Sequence, residues 1–278
     1  MGFALSTEAR AAGYRLAAYE TTGSTSADAM ARAQAGEAGP LWIVARSQSA
    51  GTGRRGSRWE TPDGNLAASL LLTTDLPPAI VATLGFVAGL ALARALDGCC
   101  GDGPTIRIGL DGAQGGRDRF ALKWPNDVLA DGAKLAGILL GMEELGRGCR
   151  AVVIGIGVNI AATPDGLPYP VTSLAALGCA TDAEFLFAAL TDSWVELERA
   201  WDRGRGFGVI RRLWLANAAG LDGAVAVRTG TGVRRGVFET IDDHGQLVVR
   251  AADGSRHRVS AGEVHFGAAA SATPEALA

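Results

Sequence analysis

The chain has 278 residues, 48% of them apolar and 20% charged, and a net charge of -3. That length suits one large domain or a domain with a smaller companion, and the composition excludes an intrinsically disordered chain. The slight acidic excess argues against a general nucleic-acid binder, and Cys99, Cys100, Cys149 and Cys179, without CxxC spacing, indicate neither a zinc knuckle nor a secreted disulfide framework.

Two scarcities narrow the chemistry. Histidine occurs only at His244, His257 and His265, so a histidine triad or a histidine-ligated metal in the main body is excluded. Of 26 basic residues only Lys123 and Lys134 are lysines, and both fall in one short stretch. An Ala- and Arg-rich composition explains the scarcity, and it makes the two exceptions conspicuous, because an ammonium does not interchange with a planar guanidinium.

The N-terminus lacks the basic and apolar regions of a signal peptide, which points to the cytoplasm. Met1, Gly2 and Ser6 match a myristoylation pattern only formally. In chain order, residues 14–20 read as a strand and 26–35 as a helix closed by Gly36. Residues 41–46 form a strand, followed by a polar, glycine-rich loop to about Asn65. Residues 66–73 form an apolar strand. Residues 76–93 carry no charge; the Pro77-Pro78 start marks a buried helix running to about Leu96 rather than a membrane span. Residues 97–118 read as irregular around a short strand at 105–108. Strands follow at 120–124, 135–140 and 151–156, then helices at 183–203 and 208–219. From Gly220 short strands at 225–228, 236–241, 246–250 and 256–259 alternate with turn signals at Asp242–Gly245 and Asp253-Gly254, the pattern of a small β-barrel. The boundaries implied are an α/β (α+β) domain at 1–219, the barrel at 220–267 and a disordered tail at 268–278.

Gly51-Thr52-Gly53-Arg54-Arg55-Gly56 matches the dinucleotide fingerprint GxGxxG, but Pro62 and Gly64 occupy the slot where the following helix belongs. What remains is a glycine loop carrying Arg54, Arg55 and Arg58, suited to an anion such as phosphate. Lys123-Trp124-Pro125-Asn126-Asp127 ends a strand at a proline and sets Lys, Asn and Asp together on the following turn, the residue types of a nucleotide site. Lys134 stands at the mouth of the apolar run to Leu140, either a solvated strand edge or a point charge for a carboxylate or phosphate. Gly155-Ile156-Gly157-Val158-Asn159 interrupts a buried strand with two glycines, which suggests close approach of a ligand to the backbone.

Taken together, Ser24-Thr25-Ser26, residues 51–59, Lys123–Asp127, residues 134–138 and 155–159 resemble the successive motifs of the biotin–protein ligase family. They keep its order and spacing across roughly residues 14 to 266. The resemblance implies a mixed-sheet biotin/lipoate-ligase-like catalytic domain followed by an SH3-like β-barrel. It also implies ATP-dependent conversion of biotin to biotinyl-5'-AMP, then transfer to a lysine of a biotin carboxyl carrier protein. Ser24, Thr25, Ser26, Gln48, Gly51, Thr52, Gly53, Arg54, Lys134 and Gly137 would bind biotin. Arg54, Arg55, Trp59, Lys123, Asn126, Asp127, Lys134 and Asn159 would bind ATP or the adenylate, with Trp59 stacked on adenine. Lys134 and Arg54 would be catalytic, and Asp127 would hold Mg2+. Thr52 stands where the family usually has arginine, Ser26 where it often has asparagine, and Gly141 where an acidic residue is common, with Glu143 out of register. Many members begin with a winged helix-turn-helix. Some thirteen residues precede the first strand here, which implies the stand-alone type, without specific DNA binding or a membrane, as a monomer or homodimer. The alternatives are a lipoate/octanoate–protein ligase and a catalytically weakened biotinyl-adenylate-binding protein.

Overall fold

The computed structural model describes residues 2–100 and 119–266. It is organised around two sheets. The first has seven strands: β1 (Arg15–Thr22), β2 (Leu41–Gln48), β3 (Leu66–Thr74), β4 (Phe120–Lys123), β5 (Asp127–Ala130), β6 (Ala133–Gly146) and β7 (Cys149–Val158). Their order is β1-β2-β3-β7-β6-β5-β4; β1 and β2 are parallel, and every other neighbouring pair is antiparallel.

Alternation along the central strands decides what covers each face. Trp42, Val44, Leu70, Val152 and Ile154 face the main core, while Leu41, Ile43, Leu71, Ala151 and Val153 face a smaller cluster. Helices α3 (Pro78–Val81), α4 (Leu84–Cys99), α5 (Ala183–Trp201) and α6 (Phe207–Ala216) lie on the main-core side, with α1 (Thr7–Ala11) against α5. The amphipathic α2 (Thr25–Gln34) covers the other face with Ala29 and Ala33. Edge-to-face contacts of Trp42 with Phe187 (5.6 Å) and Trp194 (6.2 Å) join sheet to helices. The segment Pro78–Cys99 is long and apolar enough to cross a membrane, but 72% of its most apolar window is buried inside the protein, as a core helix requires.

The second sheet holds β8 (Ala224–Thr229), β9 (Gly232–Ile241), β10 (Leu247–Arg250), β11 (Arg256–Val259) and β12 (Glu263–Phe266), in the antiparallel order β11-β10-β9-β8-β12. It docks on the first unit through the β9–β10 turn. The Trp124 indole N–H donates to the Gly245 carbonyl at 3.1 Å, and the Arg211 guanidinium donates to the Ile241 carbonyl.

Several expectations need correction. The single long helix is two helices, because Ala82 and Thr83 interrupt it and the Thr83 hydroxyl bonds back to the Ile80 carbonyl. Asp127 opens a strand, β5, rather than lying on a turn, since it pairs with Gly137 near the start of β6. β12, absent from the sequence reading, closes the second sheet's edge against β8. Cys100 and Cys179, 79 residues apart, form a disulfide; no local spacing signals a pair that the packing of α4 against the approach to α5 brings together. The strand expected at 105–108 and the tail at 268–278 lie outside the described residues.

Candidate active site

One end of the site is neutral and fully networked. The chain leaves β1 and turns into α2 at Ser24, whose buried hydroxyl caps the helix by accepting from the Ala27 N–H at 3.4 Å. The Thr25 N–H and hydroxyl both donate to Gln48 Oε1, at 2.8 and 3.1 Å, and Gln48 Nε2 donates to Thr61 Oγ1 at 3.1 Å. Ser69 Oγ on β3 joins Thr25 Oγ1 at 2.8 Å and Ser26 Oγ at 2.9 Å. Ser26 in turn lies over Gly155, where a Cβ would fall 2.5 Å from its Oγ. Buried hydroxyls need partners, and this cluster supplies them from three elements.

The other end is cationic. Pairing of Asp127 with Gly137 and of Leu129 with Lys134 sets the start of β6 beside the Lys123–Asp127 corner, and the Lys134 Nζ lies 2.9 Å from Asp127 Oδ1. Asn126 is the corner's hub. Its Nδ2 donates to the Ile138 carbonyl at 2.6 Å, and its Oδ1 accepts from Arg54 Nη1 at 3.0 Å. Arg54 Nη2 donates to the Gly262 carbonyl at 3.1 Å, so a residue of the second sheet's approach helps hold the loop's cation. Lys123 Nζ lies 5.5 Å from the Phe266 ring centroid. Burial pushes the Lys123 ammonium and the Arg54 guanidinium below their ordinary pKa values, while Asp127 and Glu263 oppose that shift at both.

The loop itself is a small hairpin rather than irregular chain. The Trp59 N–H donates to the Gly51 carbonyl at 2.9 Å, Thr52 bridges to Arg58, and the Gly53 N–H donates to the Ser57 carbonyl at 2.6 Å. A 3-10 turn at Arg54–Gly56 replaces the helix that a dinucleotide fold requires, with Arg55 at φ 56°. This hairpin lays the Trp59 indole against the glycine strands. A Cβ on Gly157 would overlap the indole, and one on Gly137 would come within 3.1 Å of it. The indole N–H is buried and has no partner among the described residues. The ring centroid is 5.7 Å from Lys134 Nζ.

The fold thus gathers Thr25, Ser26 and Gln48 in one hydrogen-bonded cluster, and Arg54, Asn126, Asp127, Lys134, Trp59 and Gly137 in a second set of contacts, with Lys123 at the same corner. Asn159 is buried beside it, with Nδ2 donating to the Thr172 carbonyl at 3.3 Å and its backbone N–H to the Leu135 carbonyl at 3.0 Å. Thr52 and Arg55 are exposed, and the Ser24 hydroxyl is committed to its helix.

Residues 6–159 match the family model described as the biotin/lipoate A/B protein ligase family, and residues 221–267 match the biotin protein ligase C-terminal domain. The chain belongs to this family. It is 42% identical over 252 residues to a biotin–[acetyl-CoA-carboxylase] ligase of Paracoccus denitrificans, covering 88% of this chain and 98% of that protein. A bifunctional ligase/repressor of Bacillus spizizenii is 30% identical over 224 residues, 79% of this chain but 64% of its own length. Among solved structures, a biotin protein ligase of Aquifex aeolicus in complex with biotin and ATP superposes with a TM-score of 0.70 at 22% identity, covering 91% of this chain and 98% of that one. The mixed sheet followed by a small antiparallel sheet is therefore the family's fold.

Ser69, Thr61 and Tyr169 were not found by sequence reading. Ser69 had a signal, a lone hydroxyl inside the apolar run of β3 where only a partnered polar group belongs. Tyr169 had none, because its contact with Lys134 comes from chain 35 residues further on.

Proposed function

We propose how this chain performs the reaction of its family, activating biotin with ATP to biotinyl-5'-AMP and transferring the biotinyl group to a lysine of a biotin carboxyl carrier protein. The observation that carries the reading is the junction of a neutral hydrogen-bonding cluster with Arg54, Lys123 and Lys134 around one glycine-floored region. The Thr25, Ser26 and Gln48 cluster meets the polar ureido ring, and the floor at Gly137, which the Trp59 indole covers in this structure, takes the ring's flat face once the indole moves off it towards the nucleotide. Lys134 lies between the biotin carboxylate and the α-phosphate, with Arg54 on the phosphate. Trp59, Asn126 and Asn159 serve the nucleotide, and Gly51–Gly53 with Arg55 form its flap.

The biotin carboxylate attacks the α-phosphorus and pyrophosphate leaves. A carboxylate nucleophile needs no general base, which suits a chain whose histidines all lie in the C-terminal unit, on strands of the second sheet or in its β9–β10 turn. The residues' work is alignment and neutralisation of charge. The carrier's ε-amine then attacks the anhydride carbonyl, forms the amide and releases AMP. Asp127 offers one carboxylate, and no group of three His, Cys, Asp or Glu side chains suited to a metal occurs among the described residues. That donor set fits a Mg2+ ion completed by ATP phosphate oxygens; Asp127 would hold it, and it would supply further charge neutralisation.

We place the catalytic unit at residues 1–219 and the C-terminal unit at 220–267, acting in the cytoplasm as a monomer or homodimer. With a net charge of -3 and its site arginines engaged with phosphate, the protein binds no DNA sequence specifically. Incubation with ATP, biotin and an apo-carrier domain should yield biotinyl-AMP by mass spectrometry and then biotinylated carrier. Product with lipoate or octanoate instead of biotin, or adenylate without transfer, would refute this reading. A nanomolar, sequence-dependent complex in a gel shift would refute the absence of DNA recognition.

A further inference from the structure

The segment that follows β7 is tied to the start of β6 by main-chain bonds on both sides of Lys134. The Lys134 N–H donates to the Pro170 carbonyl at 2.9 Å, and the Thr172 N–H donates to the Lys134 carbonyl at 3.0 Å. Leu174 and Ala175 continue the attachment, their N–H groups donating to the carbonyls of Asn159 and Ile160 at 3.0 and 2.8 Å. Residue 169 is therefore held at a fixed place relative to the Lys134 backbone. Its side chain is a tyrosine ring, 43% exposed, outside the hydrophobic core. The ring centroid lies 5.7 Å from Lys134 Nζ, the same distance as the Trp59 centroid. The ammonium thus meets two aromatic rings and the Asp127 carboxylate.

We propose that Tyr169 is a positioning residue for Lys134, holding the ammonium between its own ring and that of Trp59 so that the charge is aimed when the anions it serves arrive. This rests on the role given to Lys134 above. A lysine has a four-carbon stem with many rotamers, and freezing it costs entropy. Ring faces attract a cation without neutralising it, whereas a second carboxylate would compete with phosphate for it. Asp127 alone would fix the ammonium at one point; two rings limit its swing and leave it available. The tyrosine hydroxyl has no part in this, so phenylalanine should serve equally.

The chain's two lysines make the test clean. Reductive methylation with 13C-formaldehyde places NMR-visible methyl groups on Lys123, Lys134 and the α-amine, and ring currents shift the methyls that lie over aromatic faces. In Tyr169→Leu the Lys134 signal should move while the Lys123 signal, over Phe266, stays. The unmethylated variant should synthesise biotinyl-AMP roughly two- to fivefold more slowly, the range expected for one such contact at an exposed site. The loss should fall on kcat with little change in the KM for biotin. Tyr169→Phe should match the parent protein in both measurements. An unmoved Lys134 signal, an unchanged rate, or a Phe variant as slow as the Leu variant would overturn the proposal. Failure of the parent protein to make biotinyl-AMP would instead strike the functional reading, since the NMR contact is read without turnover.

Discussion

At the neutral end of the site the hydroxyls of Thr25, Ser26 and Ser69 and the amide of Gln48 bond to one another across α2, β2 and β3. At the cationic end Arg54 leans on an asparagine and on a carbonyl from beyond β11, and Lys134 on one carboxylate and two rings. The first end is built into the core of the fold, so its geometry exists before any ligand. The second borrows partners that a phosphate or carboxylate can replace. Substitutions at the neutral end should therefore cost stability together with binding, and those at the cationic end should cost turnover with little loss of stability.

Lys134→Ala tests the cationic end most severely. Removing one charge positioned on a developing anion costs roughly 2.7–4 kcal/mol of transition-state stabilisation, about a hundredfold or more in rate. Both side chains of the Lys134–Asp127 pair are partly exposed, and such a pair contributes at most about 1 kcal/mol, so the thermal midpoint should move little. A variant that unfolds, or that makes biotinyl-AMP normally, would break the comparison.

Ser69→Ala tests the other end. Ser26 loses its hydroxyl partner and Thr25 loses one of two. Leaving a buried polar group unpaired costs about 1–3 kcal/mol, to be read from urea unfolding. Biotin affinity by calorimetry should fall in the same variant. Unchanged stability with normal affinity would show that the network is not preformed.

How much of this was legible beforehand depended on whether the signal was local. The helix at α2 was readable because Ser24, the small apolar face and Gly36 all lie within a few residues. The motifs at 51–59, 123–127 and 134–138 were readable because the chemistry needs fixed residue types at short spacing. The Ser69 contact, the Gly262 carbonyl on Arg54 and the Tyr169 ring on Lys134 depend on chain brought back from far away. Nothing in the residues near those positions records where the fold will put them. Asp127 likewise reads as a turn residue from its neighbours alone, because the pairing that makes it a strand residue comes from β6.

Between the two ends lies the glycine floor, and Gly157→Ala probes how they are separated. The added methyl would overlap the Trp59 indole, which must then leave the floor and take its place beside Lys134 with it. Intrinsic fluorescence should change, and the same substitution made in a Trp59→Phe background should lose that change. Biotin affinity should fall more modestly than in Ser69→Ala, because the hydroxyl network is untouched.

The smallest effect expected is one of pH, and it belongs to the cationic end alone. His265 on β12 has a buried Nε2 without a partner among the described residues. Burial chiefly holds its pKa below the ordinary value of 6.5, and the charges of Lys123 and Arg228 add to that, while Glu263 opposes it. Between the native pKa and 6.5 the unfolded chain carries the proton and the native chain does not. Stability therefore rises with pH in that window and falls as acid carries the solution from 6.5 down through the native value. Protonation there would set a further positive charge beside Lys123, which the neutral end has no counterpart for. His265→Asn should keep its midpoint better than the parent protein as pH drops from 7 to 5, and the difference between the two melting curves cancels every other titrating group they share. Parallel curves across that range would mean that β12 accommodates the charged imidazole, and that the cationic end tolerates one more cation than its crowding suggests.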